Sequence, residues 1–171
     1  YNPAEGLEMA SMFKVPILVT LMHEVEQEGR SLTSDEVAEA TSMIEVSDNV
    51  AEAALYDEAG NYNGVTSYIN SLGIDDLYIN TDGIGSTLLS PVSAVRLMED
   101  IRAERILTPQ DCRFILNLMA NVVASQQVGV AQTAPPGASW AMKIGYGPGM
   151  DTLWLMDSLG TVTYKGHAYD L

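Results

Sequence analysis

The chain of 171 residues has one cysteine, Cys112, two histidines, His23 and His167, and eight basic residues in all, of which three are lysines. A single cysteine excludes an internal disulfide framework and a multi-cysteine zinc site, and two histidines far apart in sequence provide no histidine-rich metal centre. Eight basic residues against 23 acidic ones leave a formal net charge of −15. Such a chain has no basic surface to neutralise phosphates, which argues against nucleic acid or an anionic membrane as partner. No run approaches the roughly 20 apolar residues of a membrane span, and no signal-peptide pattern stands at the N-terminus, where the chain begins at Tyr1. What is present is an ordinary globular balance, 47% apolar and 18% charged, enough for a real hydrophobic core. The expectation is a soluble, acidic, metal-free single domain over residues 1–171.

Periodicity divides the chain into a helical part and a strand part. Residues 1–10, with Pro3 and Gly6, read as a loop. From Ser11 the pattern is helical, with Leu18, Leu21, Met22 and Val25 on one buried face and Gly29 closing the helix. Thr33 with Glu36 three residues later is a capping-box pattern. The helix it opens runs to about Glu45 or Val46, and another covers Val50–Ala59. The Asn-rich Asn61–Gly64 reads as a turn before a short helix over Val65–Leu72. Residues 74–89 show no period and read as a long loop, functional or mobile by its length. Ser90-Pro91 and Thr108-Pro109 each open a further helix. After Pro135-Pro136-Gly137 come short strands at Trp140–Gly147, Thr152–Met156 and Thr161–Tyr164, with the start of another at Ala168–Leu171. His23, Glu24, Glu26, Glu28, Asp35 and Glu36 read as a solvated surface, Cys112 as a half-buried structural thiol, and Trp140 and Trp154 as core or sheet-face residues.

Three short motifs carry the chemistry. Ser11-Met12-Phe13-Lys14 is S-x-x-K, a spacing that puts hydroxyl and amine on one helix face. A serine hydroxyl is a poor nucleophile until a neighbouring base takes its proton, and a lysine serves if its surroundings depress its basicity. Ser47-Asp48-Asn49 lies between two helices and offers a second hydroxyl and an amide. Lys143-Ile144-Gly145 sits on the first strand, where a glycine lets a substrate pair along the strand edge. Two of the three lysines stand in these motifs.

In this order the motifs resemble those of the class A β-lactamase and penicillin-binding-protein superfamily of active-site serine enzymes. The resemblance extends to their flanks, Ala10–Pro16 and Ile44–Ala51, and to Ser90-Pro91 and Pro135-Pro136-Gly137 in family order. It implies an α+β fold of the β-lactamase/transpeptidase type, with a helical lobe over about residues 11–130 and an antiparallel sheet over about 138–171, truncated at both ends relative to the family. It also implies roles. Ser11 would be the acylated nucleophile and Lys14 a general base or the group that orients one. Ser47 would relay a proton to the leaving nitrogen, Asn49 would bind the substrate's side-chain amide, and Lys143 would attract its carboxylate. The backbone N–H groups of Ser11 and Tyr146 would form the oxyanion hole. No metal and no cofactor is expected. The substrate class would be a β-lactam or a peptidoglycan-like peptide, met outside the cytoplasmic membrane.

Two positions depart from the family pattern. Ile144 stands where the family has a hydroxyl residue, which removes one contact to a substrate carboxylate. Class A enzymes hydrolyse the acyl-enzyme with a loop glutamate, yet no Glu lies between Leu72 and Met98. Asp82 is the best-placed substitute, with Asp75 and Asp76 behind it, although turn-forming roles explain all three. Three readings follow: a hydrolase that turns over, a penicillin-binding D,D-peptidase that deacylates slowly, and a non-catalytic binding domain.

Overall fold

The computed structural model describes residues 2–150 and 153–171. Its centre is helix α1 (Lys14–Gln27), which continues a 3-10 turn at Ala10–Phe13. Pro16 is tolerated because N–H groups in a first helical turn have no intrahelical partner. A single buried stripe is too narrow a description of this helix: every residue from Lys14 to Met22 is buried. Helices α2 (Ser34–Glu45), α3 (Asn49–Glu58), α4 (Asn61–Ser71) and α6 (Pro109–Ala120) all contact it. Each large aliphatic side chain taken from water there contributes roughly 1.5–3 kcal/mol. Only from His23 does a polar side emerge, and His23 is half-buried rather than a plain surface residue, its ring stacked 3.9 Å from that of Tyr68.

The Thr33–Glu36 capping box forms as its sequence implies. Glu36, however, belongs to no solvated face. It is buried against the Arg30 guanidinium, whose two N–H groups reach its oxygens at 2.8 and 2.9 Å. Those bonds hold its carboxyl at about 2, below the usual range. Asp48 caps α3 by accepting from the Val50 and Ala51 N–H groups. The turn before α4 is shorter than the Asn-rich stretch: Gly60 and Asn61 take left-handed backbone angles of 78° and 54°, and helix resumes within the segment read as a turn. Cys112 is wholly buried.

Residues 74–89 are better anchored than their lack of period implies. Strand β1 (Leu7–Glu8), in the segment read as a loop, pairs antiparallel with β2 (Leu88–Leu89). Tyr78 bridges to Leu88, and the Met9 N–H donates to the Thr87 carbonyl at 2.8 Å. The C-terminal end of the loop is thereby tied to the chain entering the 3-10 turn, and Tyr78 near its start is tied back onto that end.

The main sheet has the order β3 (Ser139–Pro148), β4 (Trp154–Tyr164), β5 (His167–Asp170), all antiparallel. Two separate short strands at 152–156 and 161–164 are not found; β4 runs without a break through Gly160, and Thr152 lies outside the described residues. Glycine here marks close approach rather than a turn, since a Cβ at 160 would stand 2.3 Å from the Ala141 carbonyl oxygen on β3. Lys165 and Gly166, at φ 51° and 80°, make the two-residue hairpin into β5. Ala141 and Leu159 face the main core, while Met142, Ile144 and Val162 form a second cluster with Val122 and Val130. Strand β3 is therefore buried on both faces. Trp154 lies outside the core, exposed, with its ring on the sheet face 5.1 Å from that of Tyr146. Helix α5 (Pro91–Arg102) lies against β4, and its Arg102 forks onto Asp170 of β5 at 2.8–3.0 Å. Among the described residues no helix is long and apolar enough to cross a membrane.

Candidate active site

Burying two lysines demands acceptors, and the fold supplies them at one place. Lys14 is fully buried, one residue inside α1. Its ammonium donates to Ser11 Oγ at 2.9 Å and Asn49 Oδ1 at 2.9 Å, and lies 2.8 Å from Glu52 Oε2. Lys143, fully buried on β3, donates to Ser47 Oγ at 2.9 Å and to the Ile144 carbonyl at 3.1 Å. Burial above all, with repulsion from Lys14 second, lowers the Lys143 ammonium to about 7; Glu52 opposes the shift only weakly.

Each serine stands next to unusual backbone. Ser47 itself has φ 63° and Ala10, before Ser11, has φ 43°. Non-glycine residues adopt the left-handed region at a cost of about 1–2 kcal/mol, and such strain collects where geometry serves function. The bend at Ser47 turns its hydroxyl toward the strand lysine, while Asp48 begins α3 and points Asn49 and Glu52, one turn apart, at the helix lysine. The Asp48 carboxyl is held below its ordinary range by the Ala51 and Val50 N–H bonds, so the cap stays anionic.

Gly145 explains how the two lysines come together. A Cβ there would lie 2.6 Å from the Met9 carbonyl oxygen and 3.3 Å from the Met12 side chain. The glycine thus lets β3 press against the turn that carries Ser11. Ile144 and Tyr146 project from the opposite side of the strand. Both line a cleft of about 400 Å³ with Ser11, Ser47 and Asn49. A second opening of about 450 Å³, lined by Ser11, Asn49, Glu52, Tyr146 and the Gly83–Ser86 segment, adjoins it.

All the residues singled out from the three motifs meet here. Asp82, Asp75 and Asp76 do not: all three are exposed, and the Asp82 N–H is bound to Asn80 Oδ1 in a turn. Glu52 was missed. Its one sequence signal is position: three residues after Asn49, it extends the second motif to S-D-N-x-x-E along one helix face.

Solved structures share this architecture. A beta-lactamase from Chitinophaga pinensis superposes with a TM-score of 0.86 at 20% identity, covering 98% of this chain and 76% of that one. A class A beta-lactamase from Bacteroides cellulosilyticus gives 0.85 at 16% identity, over 99% and 75%. The structure of PBP-A gives 0.82 at 22% identity, over 97% and 71%. No curated protein sequence matches the chain. A model of the beta-lactamase enzyme family does match, over residues 37–153, a span that holds the second and third motifs but begins after Lys14. That match covers more than half of the sequence, and the likeness of fold carries the correspondence back through α1: the chain belongs to the beta-lactamase enzyme family.

Proposed function

We propose that residues 1–171 act as a serine hydrolase on β-lactam or related amide substrates, through an acyl-enzyme on Ser11. The observation that carries this reading is the pair of serine–lysine contacts, Ser11–Lys14 and Ser47–Lys143, each at 2.9 Å and opening on one cleft. In acylation Ser11 Oγ adds to the substrate carbonyl carbon as its proton leaves toward Lys14. The N–H groups of Ser11 and Tyr146 receive the developing oxyanion, a contribution of order 10²–10³ in rate for each such donor. The C–N bond breaks as Ser47 protonates the leaving nitrogen, and Lys143 resupplies Ser47.

Asn49 gives its carbonyl oxygen to Lys14, which leaves its amide N–H₂ to donate to a substrate carbonyl. A charged Lys143 draws a substrate carboxylate, but Ile144 contributes only methyl groups to the cleft wall. Substrates of this kind lie outside the cytoplasmic membrane, and the proposal includes that location. A second reading, a penicillin-binding D,D-peptidase that acylates and stalls, is favoured by one observation: residues 73–97 contain no glutamate.

The test is intact mass after incubation with benzylpenicillin, beside a Ser11→Ala control and a nitrocefin time course. An adduct that the control lacks supports acylation at Ser11; steady colour change with a transient adduct selects the hydrolase. No adduct on folded protein overturns both readings.

A further inference from the structure

Release of an acyl group from Ser11 requires something to take a proton from the attacking water, and the roles proposed above leave that acceptor unassigned. Among the described residues lining the two clefts beside Ser11, Glu52 is the one carboxylate. Its side chain is 9% exposed, so one edge meets the cleft while most of it is withdrawn from solvent. Oε2 is held by Lys14 at 2.8 Å; Oε1 makes no hydrogen bond to another described residue. The first turn of α3, fixed by the Asp48 cap, keeps the carboxylate in place.

We infer that Glu52 is the general base that hydrolyses the acyl-enzyme, replacing from helix α3 the carboxylate that the loop over residues 74–89 does not supply. The inference rests on the acyl-enzyme reading above and deepens it toward turnover. Lys14 points its ammonium at three acceptors, Ser11 Oγ, Asn49 Oδ1 and Glu52 Oε2. In the acyl-enzyme Lys14 holds the proton it took from Ser11, so at that stage it can give a proton but not accept one. Glu52 is placed to accept. The water oxygen bonds to the acyl carbonyl carbon as its proton passes to Glu52. The bond from that carbon to Ser11 Oγ breaks, and Oγ takes a proton from Lys14. Lys14 then recovers a proton from Glu52 across their 2.8 Å contact. The carboxylate, the ammonium and the serine hydroxyl are all restored, and the product leaves as the acid.

The experiment follows acylation and deacylation separately, by quenched-flow intact mass with benzylpenicillin, in the full chain and its Glu52→Gln and Glu52→Asp variants. Unfolding midpoints establish that each is folded. The expected result is that Glu52→Gln still acquires the adduct at Ser11 but loses it roughly 10²–10⁴-fold more slowly, the range of general-base contributions. Glu52→Asp, which keeps a carboxylate, falls between. Deacylation by the unaltered protein slows in acid through one ionisation, and that dependence is absent from Glu52→Gln; a merely structural role would slow the step without flattening its pH profile. Deacylation of Glu52→Gln at the unaltered rate, an unaltered pH profile, or an adduct equally persistent in the unaltered protein overturns the inference while leaving acylation at Ser11 intact. Absence of any adduct in the unaltered protein overturns the acyl-enzyme reading and the inference with it.

Discussion

Lys14 and Lys143 are both fully buried and both lie 2.9 Å from a serine hydroxyl on the same cleft, yet the two regions that hold them treat the charge in opposite ways. On the helical side, α3 brings an amide oxygen and a carboxylate to Lys14, so the ammonium is balanced by a formal negative charge. On the sheet side, Lys143 has a hydroxyl and a backbone carbonyl, and no carboxylate pairs with it among the described residues. Desolvation then dominates, and Lys143 falls to about 7. The counter-charge, rather than burial itself, separates a lysine tied into an ion pair from one that exchanges its proton near neutrality.

The largest effect is expected from removing one member of the charged pair. Lys14→Met leaves the Glu52 carboxylate buried without its partner, a change that costs about 3–5 kcal/mol in comparable buried pairs. It also abolishes acylation. Adding Glu52→Leu should restore most of the stability but none of the activity. Urea unfolding of the two single variants and the double variant measures this. A loss below about 1 kcal/mol for Lys14→Met would mean that the pair is not what holds this end of α1.

Titration tests the other lysine. Lys143 sits at about 7 folded against a reference of 10.5. Between those values the unfolded chain holds the proton and the folded chain does not. Stability conferred through this residue therefore rises with pH across that window, by roughly 1 kcal/mol per pH unit, and is flat below about 7 where both states are charged. The difference in unfolding free energy between the unaltered protein and Lys143→Met, followed from pH 6 to 10, isolates it. Function should run the other way: above about pH 7 Lys143 loses the proton it resupplies to Ser47, which slows acylation by any substrate. Acylation by a penicillin, which carries a carboxylate, weakens further because the charge that attracts that carboxylate is lost as well. Equal pH profiles for a penicillin and a substrate without a carboxylate would remove Lys143 from carboxylate binding.

A smaller effect probes the distance between the two lysines. Gly145→Ala places a methyl group against the Met9 carbonyl and forces β3 away from the Ser11 turn. Displacements near 1 Å at a reacting centre cost on the order of 10² in rate. Acylation measured by intact mass should slow by about that factor, with unfolding shifted by only 1–3 kcal/mol. Unchanged acylation would show that the strand lysine acts independently of the helix lysine.

Local signals hold in the structure. The capping box at Thr33 and Glu36, the N-caps at Ser90 and Thr108, and the S-x-x-K spacing depend on residues within one turn of each other, and the structure contains each of them. The sequence misleads where a distant segment decides the outcome. The strand reads as broken between Met156 and Thr161 because nothing nearby in sequence reveals the Ala141 carbonyl beside Gly160. Glu36 read as solvated because Arg30 belongs to the preceding loop, and the segment 74–89 read as unanchored because its strand partner is Leu7–Glu8. Glu52 escaped notice for the same reason, since its ion pair spans from α3 to the start of α1.

By itself the sequence determined the order of the motifs, the division into helices followed by strands, the acidic surface and the helix caps, all of which follow from composition and from spacing within a few residues. Only the tertiary structure decided that Ser11, Ser47, Asn49 and the two lysines share one cleft, that Lys143 is stripped of counter-charge, and that Glu52 completes the cluster. These are properties of desolvation and of contact between segments distant in the chain. A lysine's free energy depends on which dipoles and charges replace its lost water, and that replacement exists only once α1, α3 and β3 have packed together.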